Sequence, residues 1–139
     1  TQVGAHFWCL GDQHLASWES DDLEIVGEIH NRKYEDVGRY LHMENIREML
    51  DRGEDPQTEI INKAHELGLH VYASIRMNDN HFNGAQISDL TQMHDSALTK
   101  VHLDHPEWLL GDRTTEWMAL CWNFEIPEVR EHRLAYINS

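Results

Sequence analysis

The junction between a helix and a strand near the middle of the chain constrains the fold more than any other feature. Asp55 can cap a helix that starts at Pro56, and an apolar stripe then recurs at helical spacing as far as Gly68. Glycine readily takes the left-handed conformation that ends helices, and residues 69–77 follow with the pattern of a strand. Such an αβ junction is typical of an α/β protein.

The strand after this junction has two chemically different faces. Its alternate residues give an aliphatic face of Leu69, Val71, Ala73 and Ile75 and a more polar face of His70, Tyr72, Ser74, Arg76 and Asn78. In a (β/α)8 barrel the outer face packs on helices, and the inner face becomes polar towards the mouth, where active sites lie. The alternation fits this division and is compatible with an α/β fold that is a segment of a (β/α)8 TIM barrel.

The length of the chain limits how much of a barrel it can contain. It has 139 residues, whereas a complete barrel takes about 250, so we expect one partial barrel domain over residues 1–139 with about two to three β/α units. The sequence starts at Thr1 rather than Met and stops just after a helical pattern, which favours a fragment. A partial barrel leaves strand edges unpaired, and we therefore expect an oligomer or a part of a larger chain.

The remaining elements are predicted from apolar periodicity and from glycine and proline positions. The pattern predicts a strand at 3–10, a loop at 11–37, a helix at 43–51, a polar loop at 78–105 and a helix from Pro127. The apolar face of the last helix is predicted to consist of Val129, Leu134, Ala135 and Ile137.

The charge balance excludes several classes of partner. Eleven basic residues against 25 acidic ones give a net charge of −14, which repels phosphate backbones and anionic lipids. We expect no nucleic-acid partner and no membrane partner, and no apolar run approaches the roughly 18 residues of a membrane span. A neutral sugar is compatible with this surface. No phosphate loop or dinucleotide motif is present, so no cofactor is expected.

The segment from Arg76 to His81 is the strongest candidate for a functional site. It combines Arg76, Asn78, Asp79 and His81 at the end of a predicted parallel strand, where barrel enzymes place ligand-binding groups. Guanidinium, amide and carboxylate groups supply the directional hydrogen bonds that a hydroxyl-rich ligand needs. Ordinary turn chemistry and a structural ion pair are the alternative interpretation.

Asp12 and His14 follow the first predicted strand in the same way and would face the same barrel mouth. A plain βα turn is the alternative. A glycosidase also needs two carboxylates, and the candidates on this side are Asp12, Asp79 and Glu125. Glu125 lies directly before a predicted helix, where it can equally serve the helix entry.

Five tryptophans are many for this length, and their rings can either fill a core or stack on sugars. We expect Trp8 and Trp122 in the core, because apolar residues surround them. Trp108 and Trp117 lie near loops and are better candidates for ligand contact.

Histidines in the second half of the chain allow a metal site as an alternative. His102 and His105 are three residues apart, and a catalytic zinc needs three protein ligands. The histidines concerned are His81, His94, His102 and His105. No HExxH motif is present and the spacings match no compact site, so no metal is predicted.

Four sequence blocks resemble a bacterial family of glycoside-hydrolase-like (β/α)8 barrels. They are AHELGL at 64–69, SIRMND at 74–79, HPEWL at 105–109 and PEVR at 127–130. The resemblance spans about residues 5–137 and implies a barrel fold, a carbohydrate-related role, and Arg76, Asn78 and Asp79 at the mouth. In that family a later strand carries further acidic residues, which this sequence does not include. Family members often have Asn before PEVR, where this chain has Ile126.

These observations lead to three hypotheses. The first is a glycoside-hydrolase-like protein that acts on or binds carbohydrate through paired carboxylates, with Asp79 as the catalytic candidate. Its substrate-binding candidates are Arg76, Asn78, His81, Asp12, His14 and Trp108. The second is a non-catalytic module that binds carbohydrate or protein, and the third is a metal-dependent hydrolase that uses the loop histidines.

Overall fold

Two parallel strands form the sheet of this protein. The computed structural model describes residues 3–10, 15–28, 37–78, 81–82, 84–95, 97–111 and 116–139. Strand β1 (Ala5–Cys9) pairs in parallel with strand β2 (His70–Ser74), with Ala5 opposite His70 and Cys9 opposite Ser74. Both strands lie within the segments that the sequence predicts.

The expectation of a barrel segment was wrong, because the protein is a small α/β domain. Among the described residues the only sheet has two strands, and two successive helices rather than one connect them. The apolar run at 118–122, which could have supplied another barrel strand, instead makes a turn and a single antiparallel bridge between Leu109 and Trp122. Three β/α units would place a third parallel strand beside β1 or β2, and in two such units a single helix would join the strands.

The two connecting helices follow from local signals. Helix α1 (Val37–Asp51) starts earlier than the predicted 43–51 and buries Met43, Ile46 and Leu50 at helical spacing. Helix α2 (Pro56–Glu66) begins as predicted, because the Asp55 carboxylate accepts hydrogen bonds from the backbone amides of residues 57 and 58 at 2.9 and 3.3 Å. It ends just before Gly68, whose φ of 72° is favourable for glycine.

The second half of the chain is more ordered than the predicted polar loop at 78–105. A 3₁₀ helix covers Ile87–Gln92, and helix α3 (Lys100–Asp104) starts at a Thr99 cap. Short 3₁₀ turns follow at Pro106–Trp108 and Glu116–Met118. These elements surround a core of eight buried residues: Phe82, Leu90, Ala97, Leu98, Leu109, Leu120, Trp122 and Val129.

The last helix, α4 (Pro127–Asn138), begins at the predicted proline but buries a different face. Its buried residues are Val129, Arg133 and Tyr136, whereas Leu134 and Ile137 are 56% and 45% exposed. The predicted apolar face was therefore wrong, apart from Val129. Hydrogen bonds explain the rotation, since the Arg133 guanidinium donates to the Arg76 carbonyl at 3.0 Å, and the Tyr136 hydroxyl donates to the Leu10 carbonyl at 2.8 Å. In the described ranges no helix has the length and apolar character needed to cross a lipid bilayer.

Candidate functional site

A cleft of about 590 Å³ lies beyond the end of β2 and is the best candidate site. Its volume falls within the range of roughly 300–1,000 Å³ that small-molecule sites occupy. The lining residues are Asn78, Leu110, Trp122, Asn123, Phe124 and Glu125, and we call this the Asn78 cleft. The cleft brings the predicted strand-end residue Asn78 together with Leu110 and residues 122–125, which lie far from it in sequence.

Asn78 joins the two sides of the cleft through a pair of hydrogen bonds. Its side-chain Nδ2 donates to the Trp122 carbonyl at 3.0 Å, and its Oδ1 accepts from the Trp122 amide at 2.9 Å. The side chain therefore bonds the Trp122 main chain as a neighbouring strand would. One amide hydrogen and one oxygen lone pair of Asn78 are not used by this pairing, since a primary amide has two donors and two acceptor sites.

The wall made by residues 123–125 is held by its own local bonds. The Asn123 carboxamide oxygen accepts from the Glu125 amide at 3.1 Å, so Asn123 shapes the turn that leads into α4. Arg130, one turn into α4, donates to the Phe124 and Glu125 carbonyls at 2.7 and 2.9 Å. Phe124 is half-buried and the Glu125 side chain is exposed. These bonds fix the main chain and leave the Phe124 ring and the Glu125 carboxylate available to a ligand.

Two other predicted substrate-binding residues lie close to each other. Arg76 Nη1 and His81 Nε2 are 3.5 Å apart, and both side chains are exposed. The Arg76 carbonyl accepts the bond from Arg133, which fixes the start of this segment against α4. Neither Arg76 nor His81 lines the Asn78 cleft.

Trp108 is only partly available to a ligand. Its ring stacks on His105 with 4.1 Å between centroids and 13° between planes, and the side chain is half-buried. His105 in turn bonds Glu107 at 2.9 Å, and this bond lowers the pKa of the Glu107 carboxyl. Trp117 is 55% exposed and lies in the 3₁₀ turn at Glu116–Met118.

Two histidines pack beside Trp122, which lines the cleft. His102 is 2% exposed, lies 4.3 Å from the Trp122 ring between centroids, and contacts the Thr99 hydroxyl at 2.7 Å. Burial, and then the neighbouring His132, lower the pKa of His102 to about 3. Burial, followed by repulsion from Arg133 and His105, also lowers the pKa of His132. Both imidazoles are therefore neutral at pH 7.

Three predicted site residues cannot be placed in this geometry. Asp12, His14 and Asp79 lie outside the described residues, and their roles stay predictions.

The metal hypothesis gains no support from the described histidines. Within the described ranges, no group of three or more His, Cys, Asp or Glu side chains is placed to hold a metal ion. His102 is used in packing and His105 in stacking, as described above.

Sequence reasoning missed the partnership between Asn78 and residues 122–125. Trp122 was expected in the core and is 1% exposed, which confirms that prediction. The hydrogen bonds between its backbone and Asn78 leave no signal in the sequence. Phe124 and Arg130 were not singled out. The available signal was the Asn-x-Glu-x-Pro pattern at 123–127, in which Asn123 forms a turn just before the helix and a carboxylate lies beside it.

Comparison with known proteins does not assign a family, because no family model and no curated protein matches this sequence. The fold and the cleft define the chain as a small α/β domain with one strand-end candidate site.

Proposed function

We propose that this protein binds carbohydrate in the Asn78 cleft. The observation that carries the proposal is the succession of an amide, an aromatic ring and a carboxylate at Asn123, Phe124 and Glu125 along one wall. Aromatic rings stack on the apolar faces of sugars, while amides and carboxylates bond their hydroxyl groups. A second amide, that of Asn78, faces the same cleft.

The electrostatics favour a neutral ligand over an anionic one. The chain carries a net charge of −14, and the ionisable side chain in the cleft lining is the acidic Glu125. A phosphate or carboxylate ligand would be repelled there, whereas a polyhydroxyl ligand can donate hydrogen bonds to Glu125. Neutral oligosaccharides are therefore the proposed ligand class.

Binding without hydrolysis is the proposal that the cleft supports best. Glycosidic hydrolysis needs two carboxyl groups, about 5 Å or about 6.5–9.5 Å apart according to the stereochemical outcome. Among the described residues that line the cleft, Glu125 alone carries a carboxyl group. Asp79, predicted as the catalytic residue from its position after a strand, is the candidate for the second.

Calorimetric titration with neutral oligosaccharides of several linkages tests the proposal. Wild-type protein is expected to bind at least one of them, and Phe124→Ala and Glu125→Gln should each weaken that binding by about tenfold or more, the loss of roughly 1.4 kcal/mol. Glu128→Gln is the matched control, because Glu128 is exposed in the first turn of α4 and does not line the cleft. Absence of binding by folded wild-type protein, or an equal loss in the control, contradicts the proposal.

A reducing-sugar assay on the same oligosaccharides separates binding from hydrolysis. Binding without release of reducing ends identifies a non-catalytic module. If the wild-type protein releases reducing ends, Asp79→Asn should lower the rate of release by a hundredfold or more, which corresponds to about 2.7 kcal/mol in the activation barrier. That result would extend the function to a glycosidase.

A further inference from the structure

Asn123 is a buried residue of the Asn78 cleft with one hydrogen-bonding group left over. The residue is 3% exposed. Its backbone amide donates to the Trp108 carbonyl at 2.8 Å, and its carbonyl accepts from the Ile126 amide at 3.1 Å. Its Oδ1 accepts from the Glu125 amide. Among the described residues, no group accepts a hydrogen bond from its Nδ2, so this nitrogen is what Asn123 offers to the cleft.

The position of Asn123 creates a need for an acceptor. Buried polar groups are nearly always hydrogen-bonded, and an exception calls for a partner. The side chain cannot turn away without losing its bond to the Glu125 amide. Exchange of Oδ1 and Nδ2 would set two donors against each other, so the orientation is fixed by this bond. A ligand oxygen in the cleft can supply the missing acceptor.

The surroundings of Asn123 favour a carbonyl oxygen over a hydroxyl oxygen. A carbonyl group accepts hydrogen bonds and brings no hydrogen of its own, whereas a hydroxyl group also brings a donor. Nearby acceptors are already engaged, because the Trp122 carbonyl bonds Asn78 and the two oxygens of Asn123 bond Ile126 and Glu125. A hydroxyl hydrogen at this depth would therefore compete for occupied acceptors.

The wall of the cleft becomes more exposed from one residue to the next. Asn123 is buried, Phe124 is half-buried and Glu125 is exposed, so a donor, an aromatic ring and a carboxylate follow one another towards solvent. An acetamido group has the complementary parts: a carbonyl oxygen, a methyl group and an N–H. It is also uncharged, so the net charge of −14 does not repel it.

We propose that the ligand of the Asn78 cleft is an N-acetylated amino sugar, whose carbonyl oxygen accepts a hydrogen bond from Asn123 Nδ2. The acetamido methyl group packs on the Phe124 ring, and the acetamido N–H donates to the Glu125 carboxylate. This inference rests on the proposed carbohydrate function and narrows its ligand class.

Matched sugars that differ only in their acetamido groups test the inference. Calorimetric titration compares N-acetylglucosamine with glucose, N-acetylgalactosamine with galactose, and chitotriose with cellotriose. Wild-type protein is expected to bind an acetylated sugar about tenfold or more tightly than its hydroxyl counterpart. If neutral sugars bind without an advantage for the acetylated members, the inference is overturned and the carbohydrate proposal stands. If no sugar binds in either titration, both fail.

Two variants separate ligand contact from the turn before α4. Asn123→Asp can still accept the bond from the Glu125 amide but replaces the Nδ2 donor with an acceptor. It should remove the preference for acetylated sugars, whereas Asn62→Asp should not, because Asn62 is exposed on α2 and does not line the cleft. Asn123→Ser is the uncharged second variant, since a buried carboxylate is costly. Retained preference in either variant with unchanged circular dichroism overturns the inference.

Nuclear magnetic resonance of ¹⁵N-labelled wild-type protein gives a readout that a purely structural role would not move. The side-chain amide signals of Asn123 are identified by their loss in Asn123→Ser. They should shift when the preferred acetylated sugar is added and stay in place with its hydroxyl counterpart. Unchanged Asn123 signals in protein saturated with an acetylated sugar overturn the inference.

Discussion

The sheet and the region that carries the cleft are packed in different ways. No residue of β1 or β2 is fully buried, although strands of a parallel sheet are usually the most buried part of an α/β fold. Around the cleft, Trp122 is 1% exposed and lies in a cluster of eight buried residues. The two regions of this domain thus differ in how much apolar surface each removes from water.

Buried polar groups without a hydrogen-bond partner occur in both regions, and His132 Nε2 beside Trp122 is one of them. Next to the sheet, Trp8 Nε1 and Gln57 Oε1 are buried without a hydrogen-bond partner, and cavities of about 280 and 350 Å³ border Trp8. An unsatisfied buried polar group costs about 1–3 kcal/mol. At the cleft, Asn78 instead satisfies both the amide and the carbonyl of Trp122. The cleft region is therefore more closely packed than the sheet, although each contains an unsatisfied polar group.

Truncation of one aromatic side chain in each region is the strongest test of this comparison. Trp122→Ala should lower the free energy of unfolding by about 3–5 kcal/mol, since it leaves a cavity in a closed core. Phe7→Ala should cost less than about 1 kcal/mol in the monomer, because the ring is 70% exposed. Urea denaturation at a concentration where the protein is monomeric measures both. Similar losses for the two variants would show that the sheet is packed as tightly as the cleft.

Local signals explain why one part of the fold was predictable. The start of α2 at Pro56 and its end before Gly68 follow from capping and from glycine's conformational freedom, which act over a few residues. The buried face of α4 was not predictable in this way. Arg133 and Tyr136 are polar enough to be assigned to the surface, yet they are buried because they reach main-chain carbonyls of Arg76 and Leu10.

Of the two sides of the candidate site, the sequence predicted the side that carries Asn78 and not the side that carries Trp122. Asn78 was identified because it follows a predicted strand, and the structure places it at the cleft. Its partner Trp122 is 44 residues away, and no periodicity or motif links them. The barrel expectation failed for a related reason, since the alternation in β2 defines one strand but contains no information on how many strands lie beside it.

Acid should weaken the cleft region before it affects the sheet. The pKa of His102 is lowered to about 3 in the folded protein, against 6.5 in the unfolded chain, so the unfolded chain binds a proton first as pH falls. This contribution to stability is complete above pH 6.5 and is lost progressively below it. Between pH 7 and pH 5 the loss from His102 is on the order of 2 kcal/mol, at 1.36 kcal/mol for each pKa unit.

Neighbouring groups act in the same direction on His102. Repulsion from His132 lowers the pKa of His102 further, and Arg133 and His105 in turn lower the pKa of His132. Urea denaturation at several pH values measures the slope for wild type, for His102→Gln and for the exposed control His65→Gln. His102→Gln should flatten the slope between pH 7 and pH 5, whereas His65→Gln should not. An unchanged slope in His102→Gln would assign the acid sensitivity to another group.

The smallest expected effect concerns helix α2, which lies against the loosely packed sheet. Asp55→Ala removes the side chain that bonds two backbone amides at the start of this helix and should cost about 1 kcal/mol. Asp51→Ala is the control, since Asp51 is exposed at the end of α1 and caps no helix start. If α2 is stabilised mainly by its cap, hydrogen exchange in Asp55→Ala should rise in α2 and leave the amides around Trp122 unchanged. A rise of equal size around Trp122 would mean that the two regions unfold as one unit.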